Sequence, residues 1–302
     1  MNKKRRNYSA RKRKEAATGL LFIAPMMIGL IIFSAYAFFQ NIHFSFSKVG
    51  TFGAPKFIGF DNYIRAFTDP NFFIALKNTL FYTVFGVSFV IIFSVLIANS
   101  LNKKVKGRTF YRVSIFIPAI TMPAAIGILW RWLLNYKFGI INFILERIGL
   151  KPVAWLSEAA TVKWAILLVL VWSMVSYYVI IMLAGMQAID SSYYEAARVD
   201  GAGQLQLFFK VTIPLLTPII FFSTIMSMIG ILQIFDFIYL MIQRDTIAYQ
   251  YSMSMVTYFY ELAFVKDLRG YASAVSILLC IIIMIITVIQ MYLQKYWVKY
   301  DN

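Results

Sequence analysis

The sequence predicts an all-α, polytopic membrane protein with six transmembrane helices, and three observations carry that prediction. Hydrophobic residues make up 61% of the 302 positions and charged residues only 14%, more apolar surface than a water-soluble core absorbs. The apolar residues fall in runs of about 20, the length at which a helix rising about 1.5 Å per residue crosses a hydrocarbon layer of about 30 Å. The basic residues behind the net charge of +16 sit in the amino-terminal segment and in short connections beside those runs, where charge sets orientation in a membrane and does not imply nucleic-acid binding. The same composition excludes intrinsic disorder, a collagen-like chain, a disulfide scaffold and a free cytosolic enzyme. The lone Cys280 stands within an apolar run, so an intrachain disulfide is impossible and no metal site is expected.

The spans are expected at residues 18–39, 78–101, 110–134, 162–186, 213–242 and 271–294. The first follows a basic tail at 1–17 and contains Pro25 and Gly29. A cleaved secretory signal is the competing reading, since Ala35-Tyr36-Ala37 looks like a small-residue cleavage site, but the apolar run exceeds the roughly 7 to 15 residues of a signal core, so the segment is kept as a span. The third span holds Pro118, Pro123 and Gly127, and the fifth holds Pro218 and Gly230. Neighbouring helices satisfy the backbone groups such residues free, so each is expected to remain one helix. No connection is long enough to bury a core of its own.

An even number of spans places both termini on one side. The amino-terminal tail, the second and fourth connections and the carboxyl tail hold sixteen Lys and Arg, including Lys103, Lys104, Lys106 and Arg108, whereas the opposite connections hold nine besides Lys77 at the entry to the second span, interleaved with seven acids. Both termini are therefore expected to be cytoplasmic. The cluster at residues 3–14 also suits anionic lipid, at about 1 kcal/mol per basic residue near the surface, and the Asn7-Tyr8-Ser9 sequon is then chemically idle.

The fourth connection, 187–212, is the informative one. Ser192 and Glu195 have capping-box spacing, which predicts a helix starting there. Ala196 and Ala197 favour helix, and Asp200-Gly201 stops it. A second short amphipathic piece follows, with Leu205, Phe208, Phe209 and Val211 as its apolar residues, and Pro214 opens the fifth span. Such a helix-turn-helix on the cytoplasmic face is read either as an interfacial turn among lipid headgroups or as a knob for a groove on a cytoplasmic partner. Gly201-Ala202-Gly203 is no nucleotide fingerprint, because a third glycine and a preceding strand are both missing.

Glu195-Ala196-Ala197, three residues, Gly201, nine residues and then Val211-Thr212-Ile213-Pro214 resembles the EAA loop of permease subunits of binding-protein-dependent ABC importers. Within that superfamily, residues 57–63 (FIGFDNY), 76–79 (LKNT) and 270–274 (GYASA) are similar to carbohydrate permeases of the maltose and glycerol-3-phosphate type. The resemblance covers nearly the whole chain. It implies a type I ABC importer permease bundle in a bacterial inner membrane, acting as half of a carbohydrate pathway with a second homologous permease subunit. Two cytoplasmic ABC ATPases would hold the ATP and Mg, and an extracytoplasmic solute-binding protein would deliver the sugar. This chain has no P-loop, so no cofactor and no enzymatic activity are expected of it. ATPase coupling would fall to Glu195, Ala196, Ala197, Asp200, Gly201, Phe208 and Pro214.

Polar groups inside the spans are the candidates for a solute path. Asp236 and Gln233, about one turn apart in the outer part of the fifth span, suit sugar hydroxyls, and Tyr177, Tyr178, Ser223 and Ser227 face a midplane site between the fourth and fifth spans. Arg131, flanked by Trp130 and Trp132, reads as a snorkelling residue in an aromatic belt, and His43 as interfacial. The runners-up are a secondary transporter independent of an ATPase, for which inverted repeats are missing, and a membrane enzyme, for which a catalytic constellation is missing.

Overall fold

The computed structural model describes residues 2–50, 53–103 and 106–298. Lys104 and Lys299, used for the topology count, lie outside the described residues, as do the side chains of residues 2–11, 13 and 108. The basic segment, rich in Lys, Arg and Ala, contains nothing that stops a helix, so α1 (Asn2–Leu30) starts well before the first apolar run. It passes through a π-helical turn (Ile31–Ala35) into α2 (Tyr36–Ser45). No residue of the most apolar stretch of this helix is buried. Its carboxyl-terminal end is tied down: α2 packs on the last helix, where the Asn41 amide donates to Ser276 Oγ at 2.7 Å.

A two-stranded hairpin, β1 (Ser47–Lys48) with β2 (Lys56–Phe57), then leads to α3 (Asp61–Thr68). Buried Asn62 donates to the carbonyls of Ser45 and Ser47 at 2.9 and 3.0 Å. The second span, α4 (Pro70–Asn102), begins eight residues before the expected Asn78, because Asp69 caps the Asn71 N–H at 2.9 Å and Pro70 has a φ suited to the first turn. Helix α5 (Arg108–Ile120) and α6 (Pro123–Leu133) replace the expected third span and meet at 103°. Helix α5 stops at Thr121, which is extended (ψ 135°), and Pro123 keeps Met122 out of the helical region as well (ψ 136°), so the expectation that proline would leave this helix whole is corrected. After α7 (Ile140–Arg147), the fourth span α8 (Ala159–Ala188) is apolar on all sides and becomes the central helix, against which α4, α5 and α11 pack.

Helices α9 (Ser191–Val199) and α10 (Gln204–Leu207) form the fourth connection, and α10 runs through a second π turn (Phe208–Thr212) into α11 (Ile213–Leu232). Pro214 therefore does not open the fifth span; one apolar helix already runs from Gln204 to Leu232, and the wider π turn accommodates the missing proline N–H. Nor does that span reach Ile242. It ends at Leu232, and α12 (Asp236–Met241), α13 (Ile247–Ser252) and α14 (Met255–Tyr260) lead through a third π turn (Glu261–Val265) to α15 (Arg269–Trp297). Among the described residues, five helices are thus long and apolar enough to cross a membrane, and the bent α5–α6 pair, taken as one broken span, is the sixth. Close approach is arranged by small residues: at Gly86 a Cβ would touch Ile231 and Leu170, and at Gly185 it would collide with Ile219 and Leu216.

The chain between α11 and α15 folds back into the bundle, and buried side chains of α4 hold it there. Asn78 Nδ2 donates to the Met253 carbonyl at 3.0 Å, Tyr82 Oη to the Ser252 carbonyl at 3.0 Å, and the Met255 N–H donates to Thr79 Oγ1 at 2.9 Å. Ser254 Oγ donates to the Ile234 carbonyl at 2.6 Å, closing the broken end of α11 onto the start of α14. Asn78 and Tyr82 stand eight and twelve residues past Pro70, about 12 to 18 Å along the helix axis. At that depth non-helical backbone survives only with protein partners. We expect Asn78→Leu to lower stability by about 1–3 kcal/mol, the cost of an orphaned buried carbonyl, read as a lower melting temperature in detergent. Lys77→Ala, one residue away and exposed, should leave it unchanged.

Candidate functional site: a helix pair beneath the bundle

The start of α9 is set by Asp190, not by Ser192. Asp190 takes up extended backbone (ψ 137°), and its Oδ1 accepts the Ser192 N–H at 2.8 Å. Hydrogen bonds from Ser192 hold the Asp190 carboxyl below the usual carboxylate range. The expected box between Ser192 and Glu195 is thereby corrected: the first capping side chain in the chain takes the position, and Glu195 is left exposed. It has no hydrogen-bond or ion-pair partner among the described residues.

The stop is as expected. Gly201 has φ +79°, the Ala202 N–H donates to the Ala197 carbonyl at 2.9 Å, and the Gly201 N–H donates to the Arg198 carbonyl at 3.0 Å. This is the Schellman arrangement. Gln206 Oε1 then accepts the Gly203 N–H at 2.9 Å and opens α10. Tyr194 Oη and Thr212 Oγ1, 3.1 Å apart, tie the two arms together.

The sequence-derived coupling residues divide into two sets. Glu195, Ala196, Asp200 and Gly201 are exposed on the projecting turn, and Ala197 is half-buried. Phe208 is buried at 8% exposure, and Pro214 is half-buried within the continuing helix. Leu207, the last residue of α10, and Phe208, the first of the π turn, line a groove with Asn99 and Asn102 at the end of α4. The apolar side chains left outside are Val199 at 88% exposure, Leu205 at 75% and Phe209 at 63%. An apolar rim of this kind beside an uncovered carboxylate suits a protein groove. Val199 escaped sequence reasoning, although a β-branched residue immediately before an Asp-Gly stop was the available signal.

The six pathway candidates are not gathered in this single chain. Tyr178, Ser223 and Ser227 are buried, with Ser223 Oγ lacking a partner among the described residues, whereas Tyr177 is exposed. Gln233 and Asp236 do not share a helical turn. Gln233 ends α11, with its amide on the Ile229 carbonyl at 3.1 Å, and exposed Asp236 starts α12 after the break at Phe235.

On the face opposite the helix pair, a clasp joins α3, α4, α14 and α15. Asp69 Oδ2 accepts from Tyr258 and, at 2.9 Å, from Tyr271, while the Arg65 guanidinium lies 4.4 Å from the centre of the Tyr271 ring. Partial burial alone would raise the Asp69 carboxyl. The two tyrosine hydroxyls, the Asn71 N–H and Arg65 outweigh it and hold the group below its usual range. The clasp's stability is therefore fully present above the ordinary aspartate value of about 4 and is lost as pH falls through the lowered value. We expect wild-type melting temperature to be insensitive to this group from pH 5 to 8 and to fall in stronger acid. Asp69→Asn should remove that acid-dependent component.

A multi-pass helical bundle with a capped, exposed helix pair on one face defines the class: an integral-membrane permease subunit, a transport component and not an enzyme. The model of the family described as binding-protein-dependent transport system inner membrane component matches residues 90–299, and the chain belongs to that family. It is 35% identical to the probable ABC transporter permease protein YesP of Bacillus subtilis (strain 168), over 96% of this chain and 94% of that one. To the lactose transport system permease protein LacF of Rhizobium radiobacter it is 32% identical, over 95% and 97%. Its fold matches a chain from the crystal structure of a bacterial ABC transporter that imports the acidic polysaccharide alginate, with a TM-score of 0.84 at 24% identity, covering 97% of this chain and 100% of that one. A self-contained secondary transporter is set aside by family membership.

Proposed function

We propose that the chain forms half of the translocation pathway of an ATP-driven importer for an oligosaccharide, paired with a second homologous permease subunit. Two cytoplasmic ABC ATPases carry ATP and Mg, an extracytoplasmic solute-binding protein delivers the sugar, and this chain binds no cofactor. Both termini are cytoplasmic, as the excess of Lys and Arg on their side requires. The carrying observation is the projecting turn from Glu195 to Gly201, rigidly capped at both ends yet uncovered by the chain's own bundle. Similarity to a lactose permease over nearly the full length supports a carbohydrate solute.

In this reading the ATPase pair grips the turn, with Glu195, Ala196, Ala197, Asp200 and Gly201 as the contact and Val199, Leu205 and Phe209 as its apolar rim. Buried Phe208 and half-buried Pro214 pass the movement into α11. Transmission requires the partner to bind the turn differently in the inward-facing and outward-facing states, because only differential contact shifts an equilibrium. Movement of α11 against α8 would open the interface on which Tyr178, Ser223 and Ser227 lie, and Tyr177, Gln233 and Asp236 complete the proposed path. Reconstitution tests the assignment: oligosaccharide uptake should require the ATPase, ATP and the binding protein together, and uptake by the permease alone would overturn it.

A further inference from the structure

A cavity of about 440 Å³ opens between the end of α6, the segment after it, the segment before α8 and the end of α12. That volume lies within the roughly 300 to 1,000 Å³ usual for small-molecule sites. Because α8 is 30 residues long, about 45 Å, the cavity is on the far side of the bundle from the helix pair. Its walls are fixed by one side chain. Asn142, at 2% exposure, donates to the carbonyls of Tyr136 and Val153 at 3.1 and 2.9 Å and accepts from the Val153 N–H and Trp155 Nε1 at 3.1 and 3.0 Å. All four of its hydrogen-bonding positions are used to hold the two loops together. Gly139 adds to the rigidity, since any Cβ there would strike the carbonyl oxygens of Leu133 and Asn135.

The chemistry of the lining is one-sided. It contains Arg131 and Lys137 and no Asp or Glu, and neither cation has an ion-pair partner among the described residues. Asn135 Oδ1 is occupied by the N–H groups of Lys137 and Phe138 at 2.9 and 3.3 Å, which leaves its amide nitrogen as a donor. Tyr136 and Trp155 supply aromatic surface, and Gln243 a further amide. A preorganised cavity with two unpaired cations and aromatic walls selects an anionic oxygen group carried on a body that stacks.

We propose that this cavity is an anion subsite on the extracytoplasmic face, binding either the carboxylate of an acidic sugar or the phosphate of a lipid headgroup, with Arg131 and Lys137 neutralising the charge. It takes only its side of the membrane from the functional assignment above. Arg131 thus ceases to be merely a snorkelling residue. Lipid nanodiscs expose both faces, so binding to the purified chain tests the subsite independently of orientation and of transport.

In phosphatidylcholine nanodiscs, calorimetry should show digalacturonate binding at least tenfold more tightly than neutral galactobiose, with the preference falling as salt is raised. Arg131→Gln/Lys137→Gln should erase the preference, whereas Lys151→Gln, the same type of charge loss outside the lining, should preserve it. If the source is lipid, native mass spectrometry of the chain extracted from mixed phosphatidylcholine and phosphatidylglycerol will show retained phosphatidylglycerol in wild type and its loss in the double variant. Gln243→Glu, which places a negative charge in the cavity, should weaken whichever anion binds by about tenfold and covers the case in which the double variant fails to fold. Absence of preference for either anion in wild type, or an unchanged preference in the double variant and in Gln243→Glu, overturns the subsite.

Discussion

Glu195→Lys is expected to reduce ATP-driven uptake by roughly a hundredfold, the upper range of coupling between distant sites, while the amount of chain in the membrane stays at wild-type level. The two halves of this expectation rest on the same observation. Glu195 is exposed on the turn and has no hydrogen-bond or ion-pair partner among the described residues, so its replacement disturbs neither the cap at Asp190 nor the stop at Gly201. What it changes is the charge offered to a partner, from acceptor to cation. Gly201→Asp should give the same phenotype by another route. A Cβ at Gly201 meets no neighbour among the described residues, and aspartate tolerates left-handed backbone better than most residues, so folding is largely spared while a carboxylate is thrust into the contact. Uptake in vesicles, normalised to permease and ATPase content, is the measurement. Normal uptake by both variants would remove the turn from the mechanism.

Gly270→Ala is expected to have the largest effect on folding, a loss on the order of 3 kcal/mol, at the upper end of overpacking costs. A Cβ at this position lands on the Ser47 carbonyl oxygen and comes within 3.2 Å of the Val49 nitrogen. These are backbone atoms, and Ser47 is held by its pairing with Phe57 and by Asn62, so the neighbour cannot yield as a side-chain tip would. Because α15 also meets α2 and α3 here, the strain spreads to the clasp around Asp69. Thermal melting and membrane abundance should both fall, while uptake per surviving molecule stays near normal. Gly29→Ala, where nothing lies within reach of a Cβ, is the contrasting variant and should be neutral or mildly stabilising.

Legibility followed the range of the interaction responsible. The Gly201 stop was readable because a left-handed turn depends on one residue and its immediate neighbours. The start at Asp190 was equally local, but two capping candidates stood two residues apart and spacing favoured the wrong one. The break at Pro123 was written in the sequence as well. Whether a proline inside an apolar run bends or breaks the helix depends on what packs against it, here α12 on α6. Phe208 shows the same limit, since its hydrophobicity was visible while its burial was not.

The sequence by itself determined that this chain lives in lipid, roughly where it crosses, and that a small capped helix pair projects on the side of the basic residues, because run length, charge placement and cap chemistry are local quantities. Only the tertiary structure decided that the fifth span stops at Leu232, that residues 252–255 return to sit beside Asn78 and Tyr82, and that Arg131 and Lys137 face one cavity. The return of residues 252–255 depends on hydrogen bonds between groups 170 and 175 residues apart, and no local pattern specifies which distant donor will meet a freed carbonyl inside a bilayer.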